Sequence, residues 1–259
     1  MDFTLKKYRE LLVALQNKGY ATLTFADYLH GIRPENFVIL RHDVDKLPKN
    51  SMATARIENS LGINASYYFR AVPESWDEDI IKEIARLGHE VGYHYESLTT
   101  CDGDFATALR DFDMNLNKLR ELVPVSTICM HGSPRSSWDS KDLWKDNSYH
   151  DRDIIGEPYF DVDFSNVFYL TDTGRRWDGF KVSVRDKVPE YQDIWCREGL
   201  VFHSTNDIIR ALDDGRLPHH IMMTTHPQRW NDKTIPWTKE LLLQKTKNLV
   251  KRVLIKRSL

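Results

Sequence analysis

Short apolar runs recur along this chain, each breaking abruptly into polar residues and each separated from the next by a segment with helical periodicity. The run Phe37-Val38-Ile39-Leu40 breaks into Arg41-His42-Asp43-Val44-Asp45. A short continuous apolar run suits a strand covered on both faces, the condition of a parallel sheet. Ala65–Phe69, Glu90–Tyr93 and Thr127–Met130 repeat the pattern, the last two ending at His94 and His131. Between them lie expected helices: 51–61 closed by Gly62, a helix opened by an SWDE capping box at Ser75–Glu78, and one carrying Phe105, Leu109, Phe112, Leu116 and Leu119. An amphipathic helix precedes them, with Leu5, Tyr8, Leu11, Leu12 and Leu15 on one face. The order β-α-β-α-β-α-β predicts parallel strands with covering helices, an α/β fold.

The alternation lapses between 135 and 198, where Gly, Pro, Asp and Trp are frequent. Tyr159–Tyr169 and Lys181–Arg185 are the candidate strands there, and the segment is expected to decorate the main fold as long loops and a small sheet. The pattern then returns with Leu200–His203 as a strand, Thr205–Leu212 as a helix, and Ile221–Thr225 as a strand ending at His226. A closing amphipathic helix over Leu241–Leu254 carries basic residues toward its C-terminal end. The expected organisation is one domain over 1–259.

Composition narrows the function. Lys and Arg number 36 against 38 Asp and Glu, a net charge of −2, which argues against a dedicated nucleic-acid binder. The hydrophobic fraction of 41% supplies a core, and no apolar run approaches a membrane span. Cys101, Cys129 and Cys196 are odd in number and form no CxxC pair, as expected of free thiols in a reducing compartment. The first residues include an early acid and spaced apolar positions, so a cytoplasmic location is expected.

In parallel α/β folds, ligands sit beyond the carboxyl ends of the strands. That is where the chemistry collects here: Asp43 and Asp45, His94 and Glu96, His131, and His226. Two carboxylates two residues apart on an extended chain share a face, so one gains from a cation while the other can act as a base. Neutral imidazole is a common metal ligand. His42 should face away from Asp43 by strand alternation, and His89, at the start of its strand, reads as structural.

At these residues the sequence resembles the polysaccharide deacetylases of the NodB-homology type, carbohydrate esterase family 4. Asp43 and Asp45 resemble its Asp pair, one base and one metal ligand. Gly88 to His94 matches its Gly-His-Glu-hydrophobic-Gly-x-His phrase residue for residue, and Ile221 to His226 resembles its last motif. The resemblance implies a distorted (β/α)7-type barrel and a divalent metal, Zn2+ first. It further implies removal of an acetyl group from an N-acetylated sugar or glycan precursor, with Asp43 as base, His226 as acid, and Asp45 and His94 as metal ligands. No nucleic-acid partner is implied.

Two departures follow. The family's second metal histidine should lie four residues after the first, where this chain has Leu98. His131 is then the first choice for the third ligand and Glu96 the second. The family's Arg before a Pro-aromatic pair falls on Gly132, so Arg185 is the candidate to steady the base. Arg135 is the candidate oxyanion donor through its backbone. Trp177 and Trp230, with Trp138 and Tyr159, are candidate sugar-stacking platforms, while Arg175, Arg176 and Arg229 could read an anion on the substrate.

The rivals are a carbohydrate-binding relative that has lost the metal, a phosphotransferase with Asp43 as nucleophile, and a DxD glycosyltransferase. The second lacks the later Lys and paired Asp it needs. The third lacks a nucleotide-binding half before Asp43.

Overall fold

The computed structural model describes residues 1–133, 136–178 and 186–257, with backbone alone for 249–257. The chain runs α1 (Leu5–Asn17), β1 (Ala21–Leu23), α2 (Phe25–Leu29), β2 (Phe37–Val44), α3 (Pro48–Ser60), β3 (Ser66–Phe69), α4 (Glu78–Arg86) and β4 (Glu90–Tyr95). It continues with α5 (Ser97–Thr100), α6 (Phe105–Arg120), β5 (Ile128–Met130), α7 (Pro158–Asp161), β6 (Phe168–Thr171), α8 (Pro189–Arg197), α9 (Thr205–Asp213), β7 (His220–Thr225) and α10 (Thr234–Arg257). The strands form a parallel, curled half-barrel sheet in the order β5-β4-β3-β2-β7-β6, flanked by helices. This is the expected α/β class. No helix among the described residues is long and apolar enough to cross a membrane.

β2 is buried along its whole length and organises the sheet. One edge pairs with β7 from Phe37 to His42; the other takes β1 at Phe37–Ile39 and β3 at Arg41–Val44. The chain order departs in both directions from β2: β3, β4 and β5 on one side, β7 and β6 on the other. Such a reversal leaves a crevice at the strand ends.

Strand alternation gives the two faces different characters. The register places Arg41, Asp43, Tyr68, Gly92, His94 and Cys129 on one face. His42 and Tyr67 lie on the other, against α3. There the buried Glu58 of α3 accepts from Tyr67 Oη at 2.6 Å and from Tyr8 Oη, and sits 2.7 Å from His42 Nε2. His42 Nδ1 also meets Thr225 Oγ1 at 2.5 Å, tying β2 to β7 from behind. His89 bonds the backbone at Ala65 and Ala55, a structural role as expected.

Gly92 has a steric reason. A Cβ there would lie 2.3 Å from Tyr68 Cε1 and 2.9 Å from the Thr127 carbonyl. The Tyr68 ring lies across β4 and reaches Thr127 Oγ1 at 3.0 Å. Gly92→Ala is therefore expected to displace the ring and cost about 1–3 kcal/mol, measured by urea denaturation; wild-type stability would show that the ring gives way freely.

Several expectations are corrected. Ser75 is not a cap: Asp77 accepts from Ile80 N, while Ser75 accepts from Arg70 N and donates to the Val44 carbonyl. Leu200–His203 forms no strand, because His203 N and Ser204 N are taken by Asp207 in the capping box of α9. Tyr159–Tyr169 is not one strand but α7, turns and the start of β6. β6 does not belong to a separate small sheet; it pairs with β7 at the edge of the main one. Residues 189–197, read as irregular, form α8. Lys181–Arg185 lies outside the described residues.

Candidate metal and acid–base site

Asp45, His94 and His131 offer one ligand atom each within 4.8 Å of one another. β4 carries His94, while Asp45 and His131 directly follow β2 and β5. His94 Nδ1 lies 2.9 Å from the Cys129 carbonyl. A carbonyl can only accept, so Nδ1 carries the proton and Nε2 of the neutral ring presents a lone pair. That Nε2 is 3.6 Å from Asp45 Oδ1 and 3.2 Å from His131 Nδ1. Asp45 Oδ1 is 3.2 Å from the same His131 nitrogen, yet it is buried and has no hydrogen-bond partner. Its other oxygen accepts from Gln228 Nε2 at 2.9 Å. Burial pushes the Asp45 carboxyl up, but His131 and His94 more than offset it and hold it well below the usual range.

The residues fit a divalent cation. The donor set is one carboxylate and two imidazoles, the chemistry zinc accepts, and the orphaned Oδ1 is the acceptor a cation would satisfy. His94 also has the backbone-carbonyl partner typical of a ligating histidine. Leu98, buried in the core, contributes nothing. Glu96 faces elsewhere: Arg70 binds it through Nε at 2.8 Å and Nη2 at 2.5 Å, and its Oε2 is 3.8 Å from the far nitrogen of His131.

Asp43 adjoins this cluster, with Oδ2 3.9 Å from His94 Nε2. Arg41 grips it from the same strand, Nε to Oδ1 at 2.8 Å and Nη2 to Oδ2 at 2.7 Å. Burial pushes the Asp43 carboxyl up; Arg41 and then His94 bring it below the ordinary value, so it is ionised at neutral pH. The arginine beside Asp43 is thus Arg41, two residues away on the same face. Strand alternation places the two together, since i and i+2 share a side. Arg185 and Arg135 lie outside the described residues.

At the neighbouring strand ends, His226 is buried and its Nδ1 is 2.7 Å from Asp172 Oδ1. Asp172 directly follows β6 and also accepts from His226 N and Trp230 Nε1, both at 2.9 Å, and from Arg229 Nη1. Burial and Arg229 work against a charge on His226, but Asp172 outweighs them and raises its pKa above the ordinary value. Asp172 was missed by the sequence reading because β6 was not delimited. An Asp closing the run Phe168-Tyr169-Leu170-Thr171 was the available signal.

Asp186 is the second missed acid. It accepts from the hydroxyls of Tyr159, Tyr169, Thr171 and Thr173 and stands 4.0 Å from Arg41. Glu157 is buried, receives Met130 N and Tyr159 N, and is pushed up to about 7 by burial.

The expected stacking platforms divide. Trp177 and Trp230 are wholly buried in a cluster with Phe3 and present no face to a ligand, which removes them from that role. Their indole N–H groups are used internally, by Thr205 and Asp172. Tyr159 belongs to the Asp186 network, while Trp138 is exposed. Arg176 pairs with Asp178, Arg229 with Asp172, and Arg175 lies over the rings of Phe3 and Trp237.

Compared with known proteins, the chain matches no family model and no curated protein. Among solved structures it is similar to a crystal structure of a mutant CE4 family pseudoenzyme with restored enzymatic activity. The two are 13% identical with a TM-score of 0.40, over 84% of this chain and 64% of that one. The chain thus spans less than two thirds of that structure's length. At this distance the likeness identifies neither family nor activity.

Proposed function

We propose that the chain is a metal-dependent hydrolase that removes an acetyl group from an N-acetylated sugar or glycan precursor. The observation that carries the reading is the buried, unpartnered Asp45 Oδ1 facing two imidazole nitrogens beside an ionised Asp43. Asp45, His94 and His131 would hold the ion, zinc first. When bound, it would polarise the acetamide carbonyl and acidify a water.

Asp43 takes the proton of the attacking water. Arg41 keeps the Asp43 carboxyl ionised and so able to accept that proton at neutral pH. The bidentate Arg41 grip fixes the carboxylate against rotation. His226 gives a proton to the departing amine. Asp172 holds its Nδ1–H, which leaves Nε2 to donate.

The sign of the pH dependence follows. His226 acts protonated, and the Asp172 carboxylate favours that form. Asp172→Asn is expected to move the high-pH limb of the kcat/KM profile toward lower pH. An unmoved limb would take His226 out of the acid role.

The deciding experiment is metal content of protein purified without chelator, together with acetate release across a panel of N-acetylated sugars. Bound zinc with acetate release supports the reading. A protein that binds sugars with neither metal nor turnover is a carbohydrate-binding relative instead.

A further inference from the structure

α10 turns a mixed arc toward the rest of the molecule, Trp237 and Leu241 with Gln244 and Asn248. Gln244 is 4% exposed, Asn248 donates to the Gly174 carbonyl at 2.9 Å, and Trp237 Nε1 donates to the Asp2 carbonyl at 2.7 Å. At about 100° per residue these three positions share one narrow arc of the helix. The opposite arc carries Ile235, Leu242 and Leu243, exposed at 82%, 59% and 44%. A surface helix ordinarily turns its large apolar side chains to its own core; here Ile235, Leu242 and Leu243 face out.

Charge identifies what such a face fits. The helix holds seven Lys or Arg residues and one acid, Glu240, after which every charged side chain is positive. Lys245 and Lys247 are exposed beside the apolar arc. Pairing this face with a second copy would oppose seven like charges with a single acid, Glu240, to answer them. An anionic lipid surface supplies the complementary charge, and lysine stems can lie over apolar surface while their ammonium groups reach phosphate.

We propose that α10 is a lipid-docking helix, its outward leucines entering the headgroup region of an anionic bilayer and its lysines engaging the phosphates. Gly174, which Asn248 grips, is two residues from Asp172, so the docked helix adjoins the strand ends that bear the acid–base pair.

Sedimentation of the full chain with vesicles tests it, using phosphatidylcholine alone and phosphatidylcholine with phosphatidylglycerol. At least about tenfold more protein is expected on the anionic vesicles at low salt, with the preference shrinking as salt rises. The double variant Leu242→Glu/Leu243→Glu should lose the binding while keeping the wild-type circular dichroism spectrum. Should it unfold, Lys245→Glu/Lys247→Glu, which alters only exposed side chains, must lose the preference for anionic vesicles. Equal binding to both vesicles, or undiminished binding by the folded leucine variant or by the lysine variant, overturns the proposal. So does a dimer seen by light scattering that the leucine variant dissociates.

Discussion

A His131→Ala protein is expected to bind zinc at least about a hundredfold more weakly than the parent, measured by competition with a chromogenic chelator. His131 Nδ1 lies 3.2 Å from both Asp45 Oδ1 and His94 Nε2, closer to each than they are to one another. Removing it leaves a carboxylate and a single imidazole, too few for a closed zinc site. The competing ligand, Glu96, is held by two nitrogens of Arg70 and faces the other edge of His131. Glu96→Gln is therefore expected to weaken zinc binding less than His131→Ala does, since it removes a supporting charge rather than a ligand atom. Zinc retained by His131→Ala but lost from Glu96→Gln would reverse the assignment. Far-ultraviolet circular dichroism should match the parent in both, since His131 lies beyond β5 rather than within it.

The sequence disclosed the site where strand ends were sharp. Phe37–Leu40 is an unbroken apolar run and Ile221–Met223 another that ends in two β-branched threonines, so the residues beyond them, Asp43 with Asp45 and His226, could be placed at one end of a sheet from the sequence. The phrase around Gly92 and His94 was legible for a reason now visible: only glycine lets the Tyr68 ring cross β4 there. Asp172 and Asp186 were hidden by their surroundings. They lie where helical and strand periodicity both lapse, and their significance comes from partners far away in sequence, His226 and Arg41. Trp177 and Trp230 misled for a related reason. Composition cannot tell a tryptophan that stacks on a ligand from one whose N–H is satisfied inside the core. Arg41 is legible as a partner of the Asp pair, since it shares a strand face with Asp43 two residues on.

Asp43→Asn separates the two carboxylates of the pair. Acetate release is expected to fall by about 10²–10⁴-fold, the usual contribution of a positioned general base, while zinc affinity stays close to that of the parent. The two effects divide because the ligand atoms belong to Asp45, His94 and His131, whereas Asp43 is engaged by Arg41 through both oxygens. The substitution keeps the side-chain volume but puts an amide N–H₂ where one oxygen accepted from the guanidinium. Arg41 then loses a charge-assisted bond in a buried setting, and a stability loss of about 1–3 kcal/mol is expected alongside. Arg41→Lys tests the same geometry from the other side: it retains the positive charge but not the two-pronged grip, and should lower kcat more than it raises KM. A protein with Asp43→Asn that turned over at the parental rate would remove this residue from the proton transfer. Loss of zinc in that variant would instead move the ion toward the deeper grouping of Asp43, His94 and Cys129, whose ligand atoms also lie within 4.8 Å of one another.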